Sequence, residues 1–295
     1  MPSYKKHSIH GEIILPKIEK MVSIDREDMK TFSQGPDSLL LTDYEMFHSQ
    51  HSSKTKDYFE TLLKLVKDNK MQDDGKIMAF LYGQLDHFIL DVTFHPLIYY
   101  MTENLPKNSL IKPHGLVEMW IDDYIMKKHN ISDVFYYHQL SLNSKKLCYL
   151  INNVYKKVYD KDLISLKYSI GIKSVNLFDL IARRGILKYL PFIASIINLG
   201  NIAYDENIYR VLPYLNLNHN VWYNPETGEE YRESFDDLWN KSIDVIMETI
   251  YDVNSYLYRD KNIKNPIILN NTSYDTGIPC EKGQSLKYVK KYVNK

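Results

Sequence analysis

Cysteine is scarce in this chain of 295 residues: it has only two, Cys148 and Cys280, which lie far apart and outside any C-x-x-C spacing. This scarcity excludes a disulfide framework and a cysteine-rich zinc knuckle. A charge surplus is also absent, because Lys and Arg together number 37 and Asp and Glu together number 37. Proteins that bind nucleic acid or anionic membranes usually gain affinity from a basic surplus. The composition therefore disfavours both of these classes.

Long hydrophobic runs are missing as well. An apolar stretch at about residues 190–203 is too short to span a bilayer and is interrupted by Pro191. The opening sequence M-P-S-Y-K-K-H lacks the apolar core of a secretory signal. We therefore expect a cytoplasmic protein that has no transmembrane segment.

Glycine is scarce, with 11 residues, and apolar residues recur at helical spacing in most segments. The spacing predicts an amphipathic helix over 54–69 and a buried helix over 76–94, which Pro96 should end or kink at His95. A capping box that begins at Ser234 predicts a long helix to about residue 259. Further helices are predicted over 114–128, over 132–160 with a break at 141–144, from Ser174 to 185, over 186–199 with a kink at Pro191, and over 285–293.

The rest of the pattern contains neither an internal repeat nor sustained strand alternation, and residues 216–228 are predicted to form a loop. We therefore predict an all-α fold. It comprises a multi-helix, metal-binding domain of catalytic type over residues 1–260. A largely loop-like C-terminal extension over residues 261–295 should pack on that domain.

The histidines are the most informative residues. His87, Asp91 and His95 are spaced four apart on the buried helix, so at about 100° per residue they fall within an arc of about 80°. His114 and Glu118 repeat the spacing on another helix. Imidazole nitrogen and carboxylate oxygen both suit Zn²⁺, at about 2.0–2.2 Å. A single pair of this kind is more often a satisfied core histidine or a surface ion pair. Two such helices, one of them apolar enough to be core, favour a multi-metal site.

Upstream residues offer further ligands. The sequence Gly35-Pro36-Asp37 places a carboxylate at the start of a predicted segment, and His7, His48 and His51 supply imidazoles. Each of these residues alone is more simply interpreted as a cap, a turn residue or a solvated side chain. Their order along the chain supports a second interpretation, in which they are metal ligands.

This order resembles the zinc-dependent phospholipase C family. The family includes secreted bacterial phosphatidylcholine hydrolases and the catalytic domain of clostridial alpha toxin, and is related in fold to single-strand-specific zinc nucleases. The likeness is greatest to a smaller, signal-less branch in Gram-positive bacteria. The matching motifs are His7, Gly35-Pro36-Asp37, His51-x-x-Lys-Thr, Gly83-x-x-x-His87-x-x-x-Asp91-x-x-x-His95-Pro96 and His114-x-x-x-Glu118.

The resemblance implies an all-α fold that holds closely spaced zinc ions. Carried over to this chain, it assigns one ion to Asp37, His51, His87 and Asp91, a second ion to His95, His114 and Glu118, and a third to His7 with Asp91 shared. The choice of His51 over His48 depends on the Lys-Thr that follows. Secreted members complete the third site with a processed N-terminal Trp. This chain begins Met1-Pro2, so two or three zinc ions are expected, and the third site should be incomplete, weaker or closed by water.

The activity implied is that of a phosphoric diester hydrolase, similar to phospholipase C, in which the metal centre activates water and Asp37 is the candidate general base. The substrate is a phosphoester, with phospholipid as one option and soluble phosphoesters or nucleotides as another. A catalytically idle helical metal-binding protein is the alternative of another class. A single-strand nuclease is disfavoured, because the sequence has no basic cluster near the ligands.

Three further carboxylates, Asp86, Asp122 and Asp123, are neighbours of these residues in sequence. The simpler interpretation makes them exposed helix side chains, and the alternative makes them hydrogen-bond partners that orient the imidazoles. The C-terminal sequence L-K-Y-V-K-K-Y-V-N-K is basic and amphipathic, and we expect a solvated helix there rather than membrane contact.

Overall fold

Helices dominate the computed structural model of this chain, which describes residues 4–105, 113–131, 144–183, 210–282 and 285–291; for Tyr4 and residues 175–183 it describes the backbone alone. The α-helices are α1 (Tyr4–Ile18), α2 (Arg26–Phe32), α3 (Tyr44–Ser52), α4 (Thr55–Asp68), α5 (Gly75–Thr102), α6 (Pro113–Lys128), α7 (Lys145–Tyr159), α8 (Ile164–Arg183), α9 (Phe235–Arg259) and α10 (Pro266–Leu269). The strands β1 (Trp222–Tyr223) and β2 (Glu230–Tyr231) form one small antiparallel hairpin. The predicted all-α fold is confirmed.

Helix α5 lies at the centre of the fold. Asp74 caps its first turn, because the carboxylate accepts hydrogen bonds from the amides of Lys76 (3.1 Å) and Ile77 (3.4 Å). One apolar cluster packs α5 against α2, α4, α7 and α9, and a second packs it against α6 and the start of α9. Several polar side chains of α5, among them those of His87, Asp91 and His95, are buried.

Helix α5 continues through Pro96 to Thr102, so the prediction that it could end at His95 was wrong. Proline at this position leaves the carbonyl of Val92 without its helical donor. Gly277 packs over that carbonyl: a Cβ placed at Gly277 would lie 3.2 Å from the Val92 oxygen. As a result His95 remains in the helix, on the same face as the residues four and eight positions before it.

Other boundaries agree with the predictions in part. The helices predicted over 54–69 and 114–128 are confirmed as α4 and α6, and α9 begins with the predicted capping box of Ser234 and Asp237. Ser174 does not begin a helix; it lies inside α8, where its hydroxyl donates to the carbonyl of Ile170 (2.9 Å). Residues 285–291 are not helical, which contradicts the helix expected at 285–293. The predictions for 132–143 and 186–199 lie outside the described residues.

No helix within the described ranges is both long enough and apolar enough to cross a membrane.

Candidate metal centre

Four imidazoles surround one carboxylate at the middle of α5. Asp91 Oδ2 lies 2.9 Å from His87 Nε2 and 3.6 Å from His51 Nε2. Its other oxygen, Oδ1, lies 3.2 Å from His7 Nε2 and 3.5 Å from His95 Nε2. All five side chains are buried. Helices α1, α3 and α5 therefore bring together residues that are widely separated in the chain.

A second carboxylate joins this cluster from the short 3₁₀ turn Gly35–Leu39. Asp37 Oδ1 lies 3.3 Å from His51 Nε2 and 3.9 Å from His87 Nε2. Gly35 allows this approach, because it has a positive φ of 51° and a Cβ there would lie 2.3 Å from the ring of His87. The sequence Gly-Pro-Asp is thus a turn that lays its carboxylate against α5.

The Nδ1 atoms of three of these imidazoles face backbone carbonyls. His51 Nδ1 donates to the carbonyl of Phe47 (2.7 Å), His87 Nδ1 to that of Ser33 (3.2 Å), and His95 Nδ1 to that of Tyr274 (2.9 Å). A carbonyl can only accept, so in each ring the proton is on Nδ1 and Nε2 faces the carboxylates. This is the arrangement in which protein histidines bind metal ions.

The residues predicted for the second ion are only partly assembled. Glu118 Oε1 lies 3.2 Å from His95 Nε2 and 3.5 Å from the Nζ atom of Lys6. His114, in the first turn of α6, is half-buried with its ring 5.2 Å from that of Tyr99. Within the described residues, the groups of ligand atoms that all lie within 4.8 Å of one another are His7 with Asp37 and His87, and His51 with His87 and Asp91. His114 and Glu118 belong to neither group.

The geometry distinguishes His51 from His48, which the sequence left open. His51 is buried in the cluster, whereas His48 lies on the same helix with its side chain exposed.

The electrostatics of the cluster keep the carboxylates of Asp91 and Glu118 ionised. Burial alone would raise the pKa of Asp91, but the charges of His87, His95 and His7 outweigh burial and hold it well below the usual value. Glu118 is also buried, yet Lys6 and His95 lower its pKa strongly. Their negative charges attract cations, which can be protons on the imidazoles or a metal ion.

The imidazoles respond in two ways. Burial disfavours the charged form of His51, yet the carboxylates of Asp37 and Asp91 outweigh it and raise its pKa well above normal. Burial also disfavours the charged form of His95, but the carboxylates of Asp91 and Glu118 outweigh it and raise its pKa to about 9. Burial, together with the charge of His87, lowers the pKa of His7 well below normal. Without a metal ion, protons on His51 and His95 thus neutralise the carboxylates. A bound metal ion would take the place of these protons.

The residues fit a zinc ion. Among the described residues, His7 Nδ1, His87 Nε2 and Asp91 Oδ1 are buried and lack a hydrogen-bond partner. Buried polar atoms are normally satisfied, so orphaned ligand atoms in one cluster indicate an absent partner. Mixed nitrogen and oxygen donors at this spacing suit Zn²⁺.

The carboxylates that were interpreted as exposed are buried, so that interpretation was wrong. Asp86 pairs with His10 Nδ1 (2.5 Å), whose Nε2 lies 2.9 Å from the hydroxyl of Ser242. Asp122 accepts hydrogen bonds from the amides of Lys5 (3.2 Å) and Lys6 (2.7 Å) and thereby caps α1 just before His7. These two carboxylates therefore fix α1 against its neighbours rather than orient the imidazoles of the cluster.

Sequence reasoning missed the loop that includes residues 273–275. The Tyr274 amide and the Ser273 hydroxyl donate to the carbonyl of His51 (2.9 and 3.2 Å), and the Tyr274 carbonyl accepts from His95. Asp275 Oδ1 lies 3.9 Å from His95 Nδ1. Nothing in the local sequence pattern indicates such contacts.

The separation of a domain over 1–260 from an extension over 261–295 stays a prediction.

A family model described as zinc-dependent phospholipase C matches residues 12–164. The matched span contains all the predicted metal ligands except His7. No curated protein and no solved structure matches the chain.

Proposed function

The chain belongs to the zinc-dependent phospholipase C family, a family of hydrolases, and we propose that it hydrolyses phosphoric diesters at a zinc centre built around Asp91. The match confirms the family suggested by the motifs. The observation that carries the proposal is the convergence of buried imidazole and carboxylate atoms beside α5, several of which lack a hydrogen-bond partner among the described residues.

The ligand sets are proposed as follows. The first ion takes Asp37, His51, His87 and Asp91, the second takes His95, His114 and Glu118, and His7 shares Asp91 in a third, incomplete site. The distances around Asp91 support the first set. The second set is supported by the contact between His95 and Glu118 (3.2 Å) and by the position of His114 one turn before Glu118.

Zinc bound here would acidify a water molecule and neutralise charge on phosphoryl oxygens. The chain's own residues supply the positioning. Hydrogen bonds from Nδ1 to the carbonyls of Phe47, Ser33 and Tyr274 fix three rings, so that their Nε2 atoms face the carboxylates. We assign to Asp37 the acceptance of the proton from the attacking water, because this buried carboxylate lies on the turn that borders the cluster.

The substrate class is a phosphoester, with phospholipid and soluble phosphoesters as the two options. A balanced net charge argues against nucleic acid. A catalytically idle metal-binding protein is the second candidate. It is favoured by burial, because Asp37, His51, His87 and Asp91 are each no more than 4% exposed.

The test compares two histidines of one helix. His51→Ala is expected to lose its bound zinc, which plasma mass spectrometry measures. It should also no longer hydrolyse bis-nitrophenyl phosphate or phosphatidylcholine vesicles. His48→Ala is the matched control, because its side chain is exposed, and should keep both. Unchanged zinc and activity in His51→Ala would refute the proposal. Zinc binding by the unaltered protein without hydrolysis of either substrate would favour the idle candidate.

A further inference from the structure

A fully buried lysine lies beside the second ligand set. Lys6 Nζ is 3.5 Å from Glu118 Oε1 and 5.6 Å from the centre of the Phe94 ring. The same Glu118 oxygen faces His95 Nε2 at 3.2 Å. We propose that Lys6 is a built-in cation that competes with the second zinc ion for Glu118 and so sets how many ions the protein retains. The inference rests on the proposed function, since it assumes the zinc centre.

The backbone holds Lys6 in this place. Its amide donates to Asp122 Oδ1 (2.7 Å), which anchors the first turn of α1 to α6. The next residue, His7, is rotated by about 100° around the helix, and its Nε2 lies 3.2 Å from Asp91 Oδ1. One turn of α1 therefore delivers an imidazole to Asp91, which the first and third ligand sets share, and an ammonium group to the second set.

Burial makes the pairing of Lys6 with Glu118 hard to break. An ammonium group removed from water is tolerated in a protein interior only when a carboxylate or similar group compensates it. Loss of the contact with Glu118 would leave the buried Lys6 ammonium group beside the face of Phe94, 5.6 Å from the ring centre. A metal ion that takes Glu118 must therefore also displace a charge that is fully buried.

The charge balance of the proposed ligands also predicts weak binding of a second zinc ion. The proposed ligands include three buried carboxylates, from Asp37, Asp91 and Glu118. One zinc ion together with the Lys6 ammonium neutralises them. A second zinc ion would leave two positive charges uncompensated among the ligands, and like charges at this range repel strongly when water is excluded. The first set is thus expected to hold zinc tightly and the second set weakly.

The experiment measures zinc binding by the full chain in chelator-buffered zinc, with ions per chain counted at each free concentration. The unaltered protein is expected to bind its second ion at least tenfold more weakly than its first. Lys6→Met keeps the length of the side chain and removes the charge, and should tighten the second ion at least tenfold. Lys76→Met is the control, because Lys76 is a partly buried lysine paired with Asp28 (2.9 Å) away from the cluster, and it should leave both constants unchanged.

A second measurement follows zinc binding in the unaltered protein and uses a variant only to assign one resonance. The Lys6 ammonium resonance, assigned in ¹⁵N-labelled protein by its loss in Lys6→Arg, should be little affected by the first equivalent of zinc and should shift with the second. Identical zinc constants in Lys6→Met and the unaltered protein, or a resonance unmoved by the second ion, would overturn the inference alone. A protein that binds no zinc at all would overturn the proposed function and this inference with it.

Discussion

A methyl group added at Gly35 probes how closely the Asp37 turn must approach α5. In Gly35→Ala the new Cβ would lie 2.3 Å from Cγ of His87, inside contact distance, and φ at this residue is +51°. The left-handed backbone costs an alanine roughly 1–2 kcal/mol. Overpacking against a buried side chain adds about 1–3 kcal/mol. We therefore expect a loss of about 2–5 kcal/mol in the free energy of unfolding.

Gly228→Ala separates these two contributions. Gly228 also has a positive φ, 73°, but its Cβ would meet the side chain of Tyr288, which is 48% exposed and free to move aside. This control should lose only the backbone contribution, about 1–2 kcal/mol. The difference between the two variants then measures the displacement of His87 by the Gly35 turn.

The assays are urea unfolding of the zinc-free protein and calorimetric titration with zinc. Gly35→Ala is expected to bind its first zinc ion at least tenfold more weakly, because His87 and Asp37 can no longer approach each other. Gly228→Ala should bind zinc as the unaltered protein does. If Gly35→Ala matches Gly228→Ala in both stability and zinc affinity, the close packing of this turn on His87 does not shape the centre.

Two further outcomes are expected. Asp122→Ala removes the acceptor for the amides of Lys5 and Lys6, so urea unfolding should show a loss of about 1–3 kcal/mol, and zinc affinity should fall as α1 loosens; unchanged values would contradict the capping role. In zinc-free protein the pKa of His95 is raised from 6.5 to about 9, and that of His51 is raised as well. Protonation of His95 therefore stabilises the fold fully below pH 6.5, and this contribution is lost as the pH rises through about 9; protonation of His51 acts in the same direction. The melting temperature of chelator-treated protein should fall across that window and that of zinc-loaded protein should not, and parallel pH profiles would refute the assignment.

The part of the centre that lies on α5 could be predicted from sequence. Helical periodicity places His87, Asp91 and His95 on one face, and the structure keeps all three in a single helix. The local signals at Asp37 and His51 were ambiguous, because a turn carboxylate and a helix imidazole are common without a metal. Their order along the chain made them candidates, and the structure brings both to Asp91 or His87.

The rest of the centre depends on contacts between distant segments. Gly277 packs against the Val92 carbonyl beside Pro96, and the ring of His95 donates to the carbonyl of Tyr274. The position of Lys6 depends on Asp122, which lies 116 residues away in the chain. Propensity and periodicity describe neighbours within a few residues, so they carry no information about such pairs.

The loop around Tyr274 has a consequence for the biosynthesis of the protein. It contacts the carbonyl of His51 from 222 residues further along the chain and holds the ring of His95 across 179 residues. A ribosome therefore completes α3 and α5 long before the contacts that orient these imidazoles can form. During that interval the nascent chain exposes the proposed ligands without the contacts that orient them. Correct zinc loading is thus expected to occur after the loop has left the exit tunnel, at a late stage of the folding of each molecule.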